Sequence, residues 1–282
     1  MDIKSVKFRI GKSYGFRFLI YILAFACVVP LLYILGFIVK AGITKINWHF
    51  LVNVPRAVGE SGGGIANALV GSILIVLIAA VIAIPIGVMA GIYLSQYRKS
   101  RLAYWSRLST DILQGVPSIV IGIIAYFWMV KPMHHFSAIA GSIALAIMML
   151  PIIVRSTEET LKLLPASLHE AAYALGIPFH RVIFKVIVPV GISGILSGVM
   201  LSVARISGET APLLFTSLGN VYFTANVGHE MESLPHMIYT YASSAYTEWL
   251  NLAWGASLVL LVWVLLLNIF TKVITRKWKV QF

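Results

Sequence analysis

Charge is what this sequence has least of. Only 11% of its 282 residues are Asp, Glu, Lys or Arg, against about a quarter in an average soluble domain. It has one cysteine, Cys27, so neither a disulfide nor a thiolate metal cage can form within one chain. His134 and His135 are adjacent, hence on different faces of a helix, and no carboxylate or Cys stands at ligand spacing from them; a metal site is not expected there. No Walker-type sequence occurs, so ATP hydrolysis by that mechanism must come from another polypeptide. The glycine-rich run Glu60-Ser61-Gly62-Gly63-Gly64 lacks the preceding strand and the following Lys-Ser or Lys-Thr of a phosphate cradle, and reads as a flexible loop. No nucleophile and base constellation points to an enzyme, and no inverted repeat points to a secondary transporter.

What is present is apolar. Hydrophobic residues make up 59% of the chain and the mean hydropathy is +0.90. About 20 uncharged, mostly apolar residues cross the hydrocarbon core of a bilayer. Six such stretches occur: Phe18 to Val39, Asn67 to Leu94, Ile112 to Val130, Phe136 to Val154, Val186 to Phe215 and Asn251 to Thr271. The expected fold class is an all-α integral membrane protein with six transmembrane helices, of which only the fifth contains charge. The basic start followed by a long apolar run exceeds a usual signal h-region and lacks a prompt small-residue cleavage site, so it reads as a retained first helix.

The net charge of +12 suggests nucleic acid until the cations are placed. Seventeen of the 22 Lys and Arg fall in the N-terminal segment, the 98–107 loop, the 155–187 segment and the tail, whereas Lys40, Lys45, Arg56 and Lys131 lie on the other side and Arg205 lies inside helix five. Basic residues mark cytoplasmic segments, so the chain is expected to be a multi-pass protein of the cell membrane with both termini cytoplasmic, in contact with lipid and not with nucleic acid. The outward segment from Ile206 to Asn251 has no Lys or Arg but carries Glu209, Glu230, Glu232 and Glu248, with Tyr222, Tyr239, Tyr241, Tyr246 and Trp249. Those rings read as an interfacial aromatic belt.

The chain divides into residues 1–64 (N-terminus, first helix and external loop), 65–277 (helices two to six) and a short tail, 278–282. Pro85, Pro117 and Pro151 read as helix bends. Asp111 and Gln114 fall at the start of helix three, where an acidic residue complements a helix dipole. Arg155, Glu158 and Glu159 have the spacing of a solvated local ion-pair cluster.

The loop between helices four and five reads Glu170-Ala171-Ala172-Tyr173-Ala174-Leu175-Gly176, then nine residues, then Val186-Ile187-Val188-Pro189. Ala and Leu favour a short helix, which Gly176 and Pro178 end in a sharp turn. This spacing resembles the cytoplasmic coupling loop, about 157–187 here, of binding-protein-dependent ABC importer permeases, with Val186 and Val188 in place of the usual Ile and Leu. The resemblance implies the type I ABC importer permease fold, and it implies that Glu170, Ala171, Ala172, Gly176 and Pro189 belong to the segment that couples to an ATPase subunit.

Helix five closes with Ser202-Val203-Ala204-Arg205-Ile206-Ser207-Gly208-Glu209. An intramembrane Arg costs about 2.5–3.5 kcal/mol on insertion scales. Continued as one helix, Gly194, Gly198, Ser202, Arg205 and Glu209 share an arc of roughly 80°, which points to a protein-facing or cavity-facing surface. A guanidinium offers a phosphate bidentate hydrogen bonds at a charge that does not titrate away. Glu209 would moderate that field and could take a proton from monobasic phosphate.

The run Arg205-Ile206-Ser207-Gly208-Glu209-Thr210-Ala211-Pro212-Leu213-Leu214-Phe215-Thr216, with Gly115-Val116-Pro117-Ser118-Ile119-Val120-Ile121-Gly122 and Leu150-Pro151-Ile152-Ile153-Val154-Arg155-Ser156-Thr157-Glu158-Glu159, resembles A-type permease subunits of the phosphate-specific ABC importers. That resemblance implies a translocation path at Arg205 and Glu209, to which the shared helical arc adds Ser202. It implies as partners a homologous B-type subunit, two copies of an ATPase subunit and a phosphate-binding protein, with inorganic phosphate as substrate. ATP and Mg would be bound by the ATPase, leaving no cofactor and no catalysis in this chain. The alternatives are a permease for molybdate, tungstate or sulfate, and an anion channel or secondary transporter.

Overall fold

The computed structural model describes residues 3–60 and 62–277. The tail 278–282 with Lys279, and Ser61 of the glycine run, lie outside the described residues. In chain order the helices are α1 (Ile3–Gly42), α2 (Trp48–Val52), α3 (Ala66–Gln96), α4 (Arg101–Gly115) and α5 (Ser118–Ala125). A π turn (Tyr126–Val130) leads into α6 (Lys131–Met133), followed by α7 (Ala138–Lys162) and α8 (Ala166–Ala174). Next come α9 (Phe179–Val182), a second π turn (Ile183–Ile187), α10 (Val188–Ile206), α11 (Ala211–Leu214), α12 (Leu234–Ala242) and α13 (Thr247–Lys277).

Among the described residues, five helical stretches are long and apolar enough to span a bilayer: Lys12–Gly42, Ala66–Gln96, Ala138–Lys162, Phe179–Ile206 and Thr247–Val273. The sixth is a pair, Arg101–Gly115 and Ser118–Met133, bent by 106°. This corrects the straight third span expected over Ile112 to Val130. The cause is local: Pro117 disfavours helical backbone in the residue before it, and Val116 sits at φ −73°, ψ 128°. Pro85 and Pro151, in contrast, lie within continuous helices.

The fifth span also differs from its expectation. It starts earlier, at Phe179, and ends at Ile206 instead of Phe215. Pro212 lacks the N–H that would bond back to residue 208, and Gly208 adds a flexible link, so the chain turns and re-forms only the short α11.

Helix α7 is the axis of the bundle. It packs on α3, α10, α4 and α5, and small residues set the approach. A Cβ on Gly87 would stand 2.8 Å from Ile153, and one on Gly91 2.5 Å from Thr157. Lipid tails give helices no hydrophobic reason to associate, so close van der Waals approach of this kind carries the packing. Ile75, Ala79, Met149, Ile153, Ile195 and Val199 fill the seam. At the other end Ser137 caps α7 through the Ala140 N–H (3.2 Å), and the Ala138 N–H donates to the His229 carbonyl (3.0 Å). The donors left over at that helix start are thereby satisfied.

Helix α1 rests against α13 through Phe37 and Trp254, rings 5.1 Å apart, and is otherwise exposed through its apolar length. Of the expected aromatic belt, Tyr222, Tyr239 and Tyr246 are exposed, but Tyr241 is buried and stacks on Trp249 at 4.9 Å. Those two rings belong to a second core with Phe50, Leu234 and Met237, because α12 turns one face onto α13.

Candidate functional site

Arg205 occupies the last turn of α10. Its side chain is 59% exposed, and its Nε lies 3.8 Å from Oε1 of Glu209, which is 20% exposed. The pair does not sit on one continuous helix. The Gly208 N–H donates to the Arg205 carbonyl (3.2 Å) and the Glu209 N–H to that of Ile206 (3.1 Å), so a tight turn folds Glu209 back toward the guanidinium. At 3.8 Å the contact is a loose ion pair that leaves guanidinium donors facing outward.

The remainder of the expected arc is split by packing. A Cβ on Gly194 would stand 2.4 Å from Thr160, and one on Gly198 1.8 Å from the Ser156 hydroxyl oxygen, so both glycines face α7. Ser202 is buried on the same side and spends its hydroxyl on the Val199 carbonyl at 2.6 Å. The exposed side of α10 carries Ser197, Leu201 and Arg205 instead. At 100° per residue these fall within about 80° of one another. Ser197, whose hydroxyl donates to the Ser193 carbonyl at 2.7 Å, is the residue that sequence reasoning passed over. An Arg facing lipid within a span is costly, so this face of α10 suits a partner helix or a watered path.

At the basic end, α8 is the short helix that the loop signature predicted. It closes as a Schellman motif: Ile177 N–H donates to the Ala172 carbonyl (3.3 Å) and Gly176 N–H to that of Tyr173 (2.9 Å), with Gly176 at φ +70°. A left-handed residue suits this position, and glycine adopts it without strain. Glu170, Ala171, Gly176 and Pro189 are exposed, but Ala172 is buried in the main core beside Val182 and Ile183. Ala172 therefore anchors α8, while Glu170, Ala171 and Leu175, 79% exposed, form its outer surface.

The third group was undersized in the sequence. Glu158 is fully buried, and its Oε1 is 2.6 Å from both Arg107 Nε and Lys162 Nζ. Its Oε2 lies 3.8 Å from Arg155, which also pairs with Asp111. Arg107 spends its other nitrogens on the carbonyls of Arg98 (2.9 Å) and Leu94 (2.8 Å). Two expectations are corrected here. The cluster is buried at Glu158 instead of solvated, and Asp111 stands late in α4, paired across to α7, instead of complementing a helix start. This network ties the broken span and the end of α3 to α7, one short turn before α8.

These features meet in comparisons with known proteins. Residues 83–280 match the family described as binding-protein-dependent transport system inner membrane component. The chain belongs to that family. The phosphate transport system permease protein PstA of Yersinia pestis is 47% identical over 250 residues, 88% of this chain and 85% of its own length. The corresponding protein of Haemophilus influenzae is 45% identical, covering 86% of each, and PstA 1 of Mycobacterium tuberculosis strain H37Rv is 36% identical, covering 86% of this chain and 80% of its own. Among solved structures, an inward-facing MetNI methionine ABC transporter chain superposes with a TM-score of 0.65 at 17% identity, covering 77% of this chain and 96% of that one. At such identity the likeness speaks for the fold, that of a type I ABC importer permease. The chain is thus a multi-pass membrane permease component.

Proposed function

We propose that this chain is the A-type permease subunit of an ATP-driven phosphate importer. The observation that carries the reading is the likeness, 36–47% over most of the chain, to relatives named as phosphate transport permeases. The exposed, loosely paired Arg205 supplies a chemical means. A guanidinium binds phosphate oxygens bidentately, and Glu209 weakens its hold enough for release. The path runs along Ser197, Leu201 and Arg205, between this chain and a homologous B-type subunit.

The basic end faces the cytoplasm, with both termini there. In this reading Glu170, Ala171 and Gly176 present α8 to one of two ATPase subunits, which bind ATP and Mg and perform the hydrolysis. Pro189 starts the helix that this contact moves, and Ala172 carries the motion into the core. A phosphate-binding protein delivers inorganic phosphate to the opposite face. Nucleotide-driven closure of the ATPases then rocks the spans between outward and inward access.

The test is ATP-dependent uptake of labelled phosphate by the reconstituted complex, with molybdate, tungstate and sulfate as competitors. Saturable phosphate uptake that these oxyanions fail to displace supports the reading. Uptake of another oxyanion in place of phosphate overturns the substrate, and uptake without ATP or the ATPase overturns the class.

A further inference from the structure

At the basic end of the bundle, the last turns of α3 and the start of the fifth span enclose a groove of ≈ 190 Å³. Its walls include Met89, Ile92, Tyr93, Tyr97, Phe179 and Phe184. Tyr93 and Tyr97 stack at 4.9 Å and Phe179 closes the row 6.0 Å from Tyr97, while Met89 and Phe184 stand exposed at the other end. The groove opens at Tyr97 onto a second hollow formed with Arg98, Lys99 and Ser100. Arg181 and Lys185 are exposed on the segment that bears Phe179 and Phe184. No carboxylate occurs between Glu60 and Asp111 or between Glu170 and Glu209. Arg98 spends Nε on the Ser95 carbonyl at 3.2 Å, and among the described residues neither it nor Lys99 forms an ion pair.

An apolar slot that ends in an unneutralised cationic rim fits an amphiphile with an anionic head. From Met89 to Tyr97 the slot runs about 12 Å along a helix at 1.5 Å per residue, comparable to much of one acyl chain. It also lies within a spanning helix, where an inserted peptide would leave backbone groups without partners. We infer that this groove binds an anionic phospholipid of the cytoplasmic leaflet. One acyl chain lies along Met89, Ile92 and Phe184, and the phosphate is held at Arg98 and Lys99. The site is separate from the Arg205 face and places a lipid against the root of the segment that follows α8.

The test uses the full chain in its assembled complex, in phosphatidylcholine vesicles doped with a photoactivatable phosphatidylglycerol or the equivalent phosphatidylcholine, followed by peptide mapping. The phosphatidylglycerol probe is expected to label residues 89–97 and 179–184 about fivefold or more above the phosphatidylcholine probe, given the usual contribution of a basic residue near anionic lipid. Arg98→Gln with Lys99→Gln should abolish that preference, and Met89→Trp should reduce labelling by both probes. Labelling of α1, exposed over residues 12–34, should not change. Equal labelling by the two probes, or a preference that survives the double substitution, overturns the inference. So does an unlabelled groove beside a labelled α1, since that result would mean that a protein partner covers it.

Discussion

Replacing Glu158 by Gln keeps the shape of the side chain and removes its charge. Arg107 and Lys162, each 2.6 Å from Oε1, and Arg155, 3.8 Å from Oε2, would then face one another across a neutral amide. Each 2.6 Å pair has a gross Coulomb energy of about 6 kcal/mol at an effective dielectric near 20. Most of that is offset by taking the carboxylate out of water, and the three cations are 22%, 32% and 29% exposed, so water screens them in part. What remains is the cost of breaking a buried pair from one side, about 3–5 kcal/mol. Lys162→Met should cost less, about 1 kcal/mol or below, because its partly exposed ammonium leaves Glu158 still held by Arg107. The assay is chemical denaturation of the purified complex, supported by a disulfide reporter between α4 and α7. Glu158→Gln combined with Arg107→Met should recover part of the loss. A Glu158→Gln protein within about 0.5 kcal/mol of the parent, a surface-like effect, would refute the view that this carboxylate is the ionic centre of the bundle.

Packing and turn geometry give further expectations. Gly198→Ala places a Cβ on the Ser156 hydroxyl and should destabilise the chain by about 1–3 kcal/mol; Ser156→Gly in the same chain should restore stability measured by thermal unfolding. Gly176→Ala forces a side chain into a left-handed backbone at φ +70°, costing about 1–2 kcal/mol locally. It should weaken ATPase subunit binding in a pull-down while leaving membrane insertion intact, with Gly176→Asn milder. Ser202→Ala, at a buried hydroxyl bonded to Val199, should leave transport within about twofold. Ser197→Leu, on the exposed side of α10, should lower uptake several-fold, about 1 kcal/mol in effect. The reverse order of those two variants in an uptake assay would return the path to Ser202.

The spans were legible because hydropathy is a property of composition over about 20 residues and needs no partner. The break at Gly115-Val116-Pro117 was written in the sequence too, but averaging over the apolar run hid it. Helix α8 and its glycine turn could be read because the signal is local: good helix formers followed by Gly176 and Pro178. The Glu158 network could not be read in full. Arg107 lies 51 residues from Glu158, and only the fold of α4 onto α7 brings them together. The burial of Ser202 escaped the sequence for another reason. On a helical wheel Ser202 and Ser197 flank Arg205 at about 60° and 80° on opposite sides, and only the packed bundle, which buries Ser202 and leaves Ser197 exposed, decides which flank is open. The wheel also ran through Gly208, where the helix has already ended.

The central claim is that Arg205 contacts the transported anion. It is tested most directly by ATP-dependent uptake of labelled phosphate in proteoliposomes, comparing the parent complex with Arg205→Gln at matched assembly. The account predicts that phosphate uptake is lost while the ATPase subunits stay bound and the complex remains stable. Unimpaired phosphate uptake by Arg205→Gln would contradict it and leave Arg205 a structural residue at the end of α10.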